Sequence, residues 1–219
     1  MAQKPDLTVQ KLVDEAKGFA ITESSHTEPT LFGVTDGKAV GTYLEQKFRT
    51  FIFERYEFPL GNSAIGIDFP GIAVDIKVTS IKQPQSSSPF KDARQKIYGL
   101  GYHLLVFVYE KTDDQKNQTG QLNIRHTIFI DKNRTADFQM TTGILKILKN
   151  DGNEEDLVAF FEDKNLPGDE VTRTALAKEV LKNPPVEGYL TISNALQWRL
   201  QYGRAIQKAG TIEGVSRVT

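Results

Sequence analysis

The spacing of apolar positions divides the chain into a front part that mixes two periods and a back part that keeps one. Leu7, Leu12, Val13, Ala16 and Phe19 recur at helical spacing and predict an amphipathic helix over 6–20. A loop rich in Thr, Ser, Glu, Pro and Gly follows. Asp36 is then a suitable N-cap for a second helix over 37–56, whose stripe is Val40, Tyr43, Leu44, Phe48, Phe51 and Ile52. Period two takes over at Ile65 to Ser80, where two β-branched runs flank Pro70-Gly71 and predict a hairpin. A short helical pattern over 90–100 ends at Gly101, and His103 to Tyr109 and Leu122 to Asp131 read as further strands on either side of a polar stretch. This order predicts an α/β architecture, a mixed sheet flanked by helices.

Strands nearly vanish from the pattern after Asn133. Helical spacing recurs over 135–149, 154–164, 169–182 and 191–209, broken at Asp151-Gly152-Asn153, Pro167-Gly168 and Pro184-Pro185. The expected organisation is therefore a core over 1–132 and a helical region over 133–219. In the latter, the last helix and a small hairpin around Glu213-Gly214 are together similar to a winged helix-turn-helix.

Composition narrows the chemistry. The chain has no cysteine and three histidines, so any metal must be held by oxygen or imidazole, and oxygen ligands favour magnesium, manganese or calcium. The net charge is −1, so attraction to a polyanion must come from a local patch. Such a patch exists near the end: residues 188–219 contain Arg199, Arg204, Lys208 and Arg217 against Glu213. Gln197, Arg199, Gln201, Arg204 and Lys208 supply side chains suited to base edges and phosphates. No apolar run reaches the roughly 20 residues of a membrane span, and the opening residues lack the apolar core of a signal peptide, so a cytoplasmic protein is expected.

The candidate chemistry lies in IGIDFPGIAVDIKVTS, residues 65–80. Alternation along a strand turns Asp75 and Lys77 to one face and Val74, Ile76 and Val78 to the other. Asp68, seven residues before Asp75, can join them across the turn. Two carboxylates and an ammonium on one sheet face can seat a divalent cation beside a positive charge. On the preceding helix Gly37, Gly41, Glu45 and Arg49 share a face at four-residue spacing, which can aim Glu45 inward; the plainer reading pairs Glu45 with Arg49 in solvent. The polar loop 82–89 contains Ser87, and the short helix after it contains Arg94, both placed to meet nucleic acid backbone.

On these residues the first two-thirds of the chain resembles the PD-(D/E)XK nuclease superfamily, most closely its type II restriction endonucleases. Asp68 and Asp75-Ile76-Lys77 match the signature, Glu45 falls where many members carry a further acid, and Gln95 with Tyr98 looks like the Gln-x-x-Tyr element of some branches. Ile67 stands where the signature has proline, which leaves Asp36 and Glu57 as alternatives for the first acid.

The resemblance implies sequence-specific hydrolysis of double-stranded DNA. Mg2+ (or Mn2+) is then held by Asp68, Asp75, the Ile76 carbonyl and Glu45, Lys77 acts on the water, and Gln95 steadies either. It also implies a homodimer for cutting both strands. The rival readings are a structure-selective repair nuclease and a non-catalytic DNA-binding regulator.

Overall fold

The computed structural model describes residues 4–58, 66–193 and 199–219. Its contacts divide the chain into two compact units, each discontinuous in sequence. The first comprises 1–86, 103–130 and 208–219; the second comprises 87–102 and 131–207.

In the first unit, α1 (Val9–Ser24) starts at Thr8, whose hydroxyl accepts the Lys11 N–H. The next helix, α2 (Gly37–Phe53), starts at Asp36, whose carboxylate accepts the N–H groups of Lys38 and Ala39. The sheet is built from β1 (Thr27–Glu28), β2 (Val74–Ser80), β4 (His103–Asp114), β5 (Thr119–Ile130) and β8 (Val215–Arg217), with β3 (Gln85–Ser87) lying outside it. Its order is β1-β5-β4-β2 with β8 also on β5; β2 runs parallel to β4 and the other pairs are antiparallel.

One face of the sheet packs on α1 and α2. Phe48 of α2 sits 4.9 Å from Phe19 and 5.0 Å from Phe107 of β4, ring centre to ring centre. Leu12, Leu44, Ile52, Val74, Ile76 and Leu105 fill the same core. Leu104, Val106 and Val108 are buried as well, so β4 is covered on both faces and reads as an unbroken apolar run. Gly120 of β5 is required by a close crossing, because a Cβ there would lie 2.9 Å from the Leu31 carbonyl carbon.

The second unit holds α3 (Ala93–Tyr98), α4 (Phe138–Lys149), α5 (Glu154–Asp163), α6 (Glu170–Lys182), β6 (Thr191–Ile192), β7 (Arg199–Gln201) and most of α7 (Gly203–Lys208). Ile97, Met140, Ile144, Leu157, Phe161, Leu176 and Val180 form its core. Buried Asp137 joins two of its parts: one carboxylate oxygen accepts the Met140 N–H at the start of α4, and the other accepts the Ile192 N–H of β6.

Three expectations need correction. Among the described residues, the first arm of the 65–80 hairpin contributes a bridge between Phe69 and Val74 and no longer strand, because a 3-10 turn over Pro70–Ile72 and a left-handed Ala73 (φ 51°) reverse the chain at once. Most of the polar stretch 110–120 is strand, the far end of the β4–β5 hairpin.

Over 191–209 the described residues do not make one helix, and 194–198 lie outside the description. Thr191 pairs with Gln201 and Ile192 with Leu200, and helix covers Gly203–Lys208, so 191–192 and 199–201 depart from the helix on which the helix-turn-helix likeness stood. Residues 199–202 alternate between half-buried and buried, a strand pattern that the i, i+4 match of Ile192, Leu196 and Leu200 concealed. The tail hairpin around Gly214 does turn, with Ile212 bridged to Val215, but its second arm is β8 of the main sheet.

Candidate active site

The alternation of β2 turns Val74, Ile76 and Val78 toward the α1–α2 core and leaves Asp75 and Lys77 on the other face. The Lys77 Nζ lies 2.6 Å from Asp75 Oδ2. This is ionic proximity without hydrogen-bond alignment, so that buried oxygen has no hydrogen-bond donor. Asp68 reaches the same strand from before the turn: its Oδ2 accepts the Ile76 N–H at 2.9 Å, between the two charged residues. Its other oxygen lies 3.6 Å from Arg49 Nη1.

Glu45 approaches from α2. On that helix Gly41 is buried, with room for a Cβ that would come no nearer than 4.0 Å to Val78, and Arg49, two turns along, pairs with Asp68 rather than with Glu45. Burial pushes the Glu45 carboxyl up to about 7, with Asp68 and Asp75 adding repulsion and Lys77 and Arg49 partly offsetting it. Burial likewise raises Asp75 to about 6 against the pull of Lys77, and Asp68 adds to the rise. Three acids thus share one field with too little positive charge among them.

Among the described residues, no three Asp, Glu or His groups close into a ready metal cage. The donor set nevertheless fits a hard cation taking a few carboxylates and otherwise carbonyl or water oxygens. Asp75 offers a buried oxygen without a hydrogen bond, and Asp68 has one oxygen engaged only by a long ion pair.

The other expected residues are placed as follows. Gln95 Oε1 accepts the Lys91 N–H at 2.7 Å, just ahead of Asp92, the N-cap of α3. Arg94 forks onto Glu179 of α6 at 2.7–3.2 Å, and the Tyr98 hydroxyl donates to the Asn183 carbonyl. Ser87 is exposed on β3, Arg199 and Gln201 are half-buried on β7, and Lys208 is exposed at the end of α7. The Arg204 guanidinium lies 3.6 Å above the Phe138 ring. Gln197 falls outside the described residues. Arg49 was missed as a partner of Asp68, although its place four residues after Glu45 on the glycine face carried the signal.

An acid delivered ahead of a strand, closing over Asp-x-Lys on that strand in a mixed sheet, defines a restriction-endonuclease-like nuclease. The comparisons make this specific. The sequence model of the type II restriction enzyme NspV family matches residues 6–217. The type II restriction enzyme NspV of Nostoc sp. (strain ATCC 29411 / PCC 7524) is 63% identical over 212 residues, covering 97% of this chain and 96% of the relative. No solved structure matches. The chain belongs to the NspV family of type II restriction enzymes, and it is a sequence-specific endodeoxyribonuclease. Enzymes of this type use a divalent cation and bind double-stranded DNA. Among the described residues, no helix is long and apolar enough to cross a membrane.

Proposed function

We propose that Asp68, Asp75, Lys77 and Glu45 form the hydrolytic centre of this restriction endonuclease, with Mg2+ as its cation and Mn2+ as a substitute. The observation that carries this is the bond from the Ile76 N–H to Asp68 Oδ2, which holds one acid directly over the Asp-x-Lys of β2. Asp68, Asp75 and the Ile76 carbonyl would hold the metal, with Glu45 beside them. When bound, the ion supplies positive charge to a phosphate oxygen and acidifies water.

The remaining work falls to side chains. Lys77, 22% exposed at its side chain, hydrogen-bonds the attacking water and offsets the charge that builds on the phosphorus oxygens. Glu45, raised to about 7, exchanges a proton near neutrality and orients that water. Water adds to phosphorus as one of its protons passes to the Glu45 carboxylate, the bond to the leaving oxygen breaks, and that oxygen takes up a proton from solvent, to which Glu45 later returns its own.

Recognition is assigned to residues 133–219, through Arg199, Gln201, Arg204 and Lys208, with Ser87 and Arg94 contributing from the preceding loop and α3. Gln197 completes the set from outside the described residues. A homodimer follows if the recognised site is palindromic, since a two-fold axis in DNA asks for one in the protein. The residues 1–132 are the nuclease core in this scheme, and they contain all four members of the centre.

The test is digestion of a plasmid of known sequence by the purified chain with Mg2+, with the ends mapped, alongside Asp75→Ala and Lys77→Ala. Discrete fragments lost in both variants, with DNA binding kept, support the assignment. Undiminished cutting by either variant removes it.

A further inference from the structure

Arg49 is a cation at the centre that the hydrolytic scheme leaves without a task. It lies 3.6 Å from Asp68 Oδ1, longer than the roughly 2.7–2.9 Å of a charge-assisted hydrogen bond, so its planar fork of donors is not used on that carboxylate. Its side chain is 37% exposed. From there it also lines a cleft of about 420 Å³ with Gln46, Thr50, Phe53 and Phe58. Arg49 is thus shared between this cleft and the pair with Asp68.

Its walls suit a nucleic acid backbone. Phe53 is 50% exposed, and Phe58 meets it edge-to-face at 6.3 Å, a pair of rings that can cover sugar faces. Lys4 places its ammonium 4.6 Å over the Phe53 ring, a second cation at the rim. Once Asp68 is neutralised by a divalent ion, the guanidinium loses its carboxylate partner, and the anion that the reaction brings to that point is a DNA phosphate.

We propose that Arg49 is a phosphate-binding residue of this enzyme, turning from Asp68 to the DNA backbone beside the cut, and that the Phe53–Phe58 cleft carries the strand leading from the centre. This rests on the hydrolytic centre proposed above.

The test measures, as a function of salt, binding of a duplex carrying the cleavage site with Ca2+ in place of Mg2+, so that Asp68 has a divalent partner, the duplex being checked afterwards to be uncut. It compares the intact chain with Arg49→Ala, Arg49→Gln and Arg49→Lys, each first checked for a native melting transition. A phosphate contact predicts about tenfold weaker binding and a salt slope shallower by about one in the Ala and Gln variants. Arg49→Lys should restore the slope while recovering part of the affinity, since the fork is lost and the charge kept. Binding and slope equal to the intact chain in both neutral variants, with the change confined to the cation concentration needed for cleavage, would overturn the proposal and leave Arg49 as a support for Asp68. If one neutral variant fails to fold, the other decides. Asp75→Asn, run in parallel, separates the two ideas. Cleavage by that variant defeats the hydrolytic centre, whereas an unaltered Arg49→Ala slope defeats only the phosphate contact.

Discussion

Lys77 holds its ammonium 2.6 Å from Asp75 on the same face of β2, where the Asp75 side chain is only 4% exposed. The pair is asymmetric: the acid carries the burial cost and the base keeps contact with water. A buried carboxylate held by one neighbouring ammonium is a poor stabilising device, since desolvation consumes much of the attraction. Its persistence in this place fits a site built to receive positive charge and a phosphate.

Asp75→Asn should cut cleavage by roughly a hundredfold or more. It should leave the melting temperature unchanged or higher, because the amide escapes the burial cost of the charge. Lys77→Met should also abolish cleavage but lower stability by about 1–3 kcal/mol at pH 8, as it strands a buried charge. That loss should shrink at pH 5, where Asp75 is protonated. Denaturant melts at the two pH values, paired with plasmid cleavage, check both; equal stability loss for the two variants would contradict the assigned asymmetry.

The same crowding fixes the pH response. Glu45 is raised from 4.5 to about 7 and Asp75 from 3.8 to about 6, so between those limits the folded chain binds protons that the unfolded chain has released. Their contribution is stabilising below the ordinary carboxylate range and is lost as pH rises through 6 and 7. Without divalent ions, the chain should therefore gain stability from these groups as pH falls from 8 to 5, and Glu45→Gln should remove the part centred near 7. Cation affinity should move the opposite way, weakening as pH drops through the same window because protons compete for the carboxylates. Calorimetric titration of Mn2+ at pH 6 and 8 reads this directly, and affinity independent of pH would show that neither acid is a ligand.

What could be read in advance was set by how far each feature depends on local pattern. Asp75 and Lys77 share a face by strand alternation alone, and Glu45 and Arg49 share one by helical spacing, with Gly41 buried beneath them and Gly37 left exposed. The partner of Arg49 did not follow, because choosing Asp68 over Glu45 needs the distance between α2 and the turn before β2. Glu110 to Asp114, Thr119 and Gly120 hid as loop, since the far end of this hairpin carries no apolar alternation. Residues 191–209 misled in the opposite sense. Leu200 fits a helical stripe as well as a buried strand position, and only the pairing of Ile192 with Leu200 decides between them.

Gly188 sits where the chain returns toward β6. A Cβ there would collide with the Ala136 carbonyl group, and the Gly188 N–H donates to the buried Thr141 hydroxyl. Gly188→Ala forces backbone apart rather than a side chain aside, so it should cost about 1–3 kcal/mol or more. With no group of the hydrolytic centre involved, the surviving folded fraction should cut at its normal rate per molecule. Thermal melts with active-fraction titration test it, and a neutral substitution would mean that the approach is looser than the structure shows.

Arg204 separates two ways in which a basic residue can matter. Its guanidinium is stacked 3.6 Å over Phe138, and its Nε is buried without a hydrogen-bond partner, so it contributes to packing within its own unit. It is also one of the side chains assigned to DNA. Arg204→Lys keeps the charge and loses the flat stacking surface. That change should cost about 1 kcal/mol, or about 2–4 °C in melting temperature for a chain of this size, while the salt dependence of DNA binding stays the same. Arg204→Ala should show the same thermal loss and, in addition, a slope shallower by about one. Lys208→Ala, at an exposed position, should alter the slope and not the melt. An Arg204→Ala variant that loses thermal stability yet binds with an unchanged slope would confine that residue to packing and move the recognition contacts to Arg199, Gln201 and Lys208.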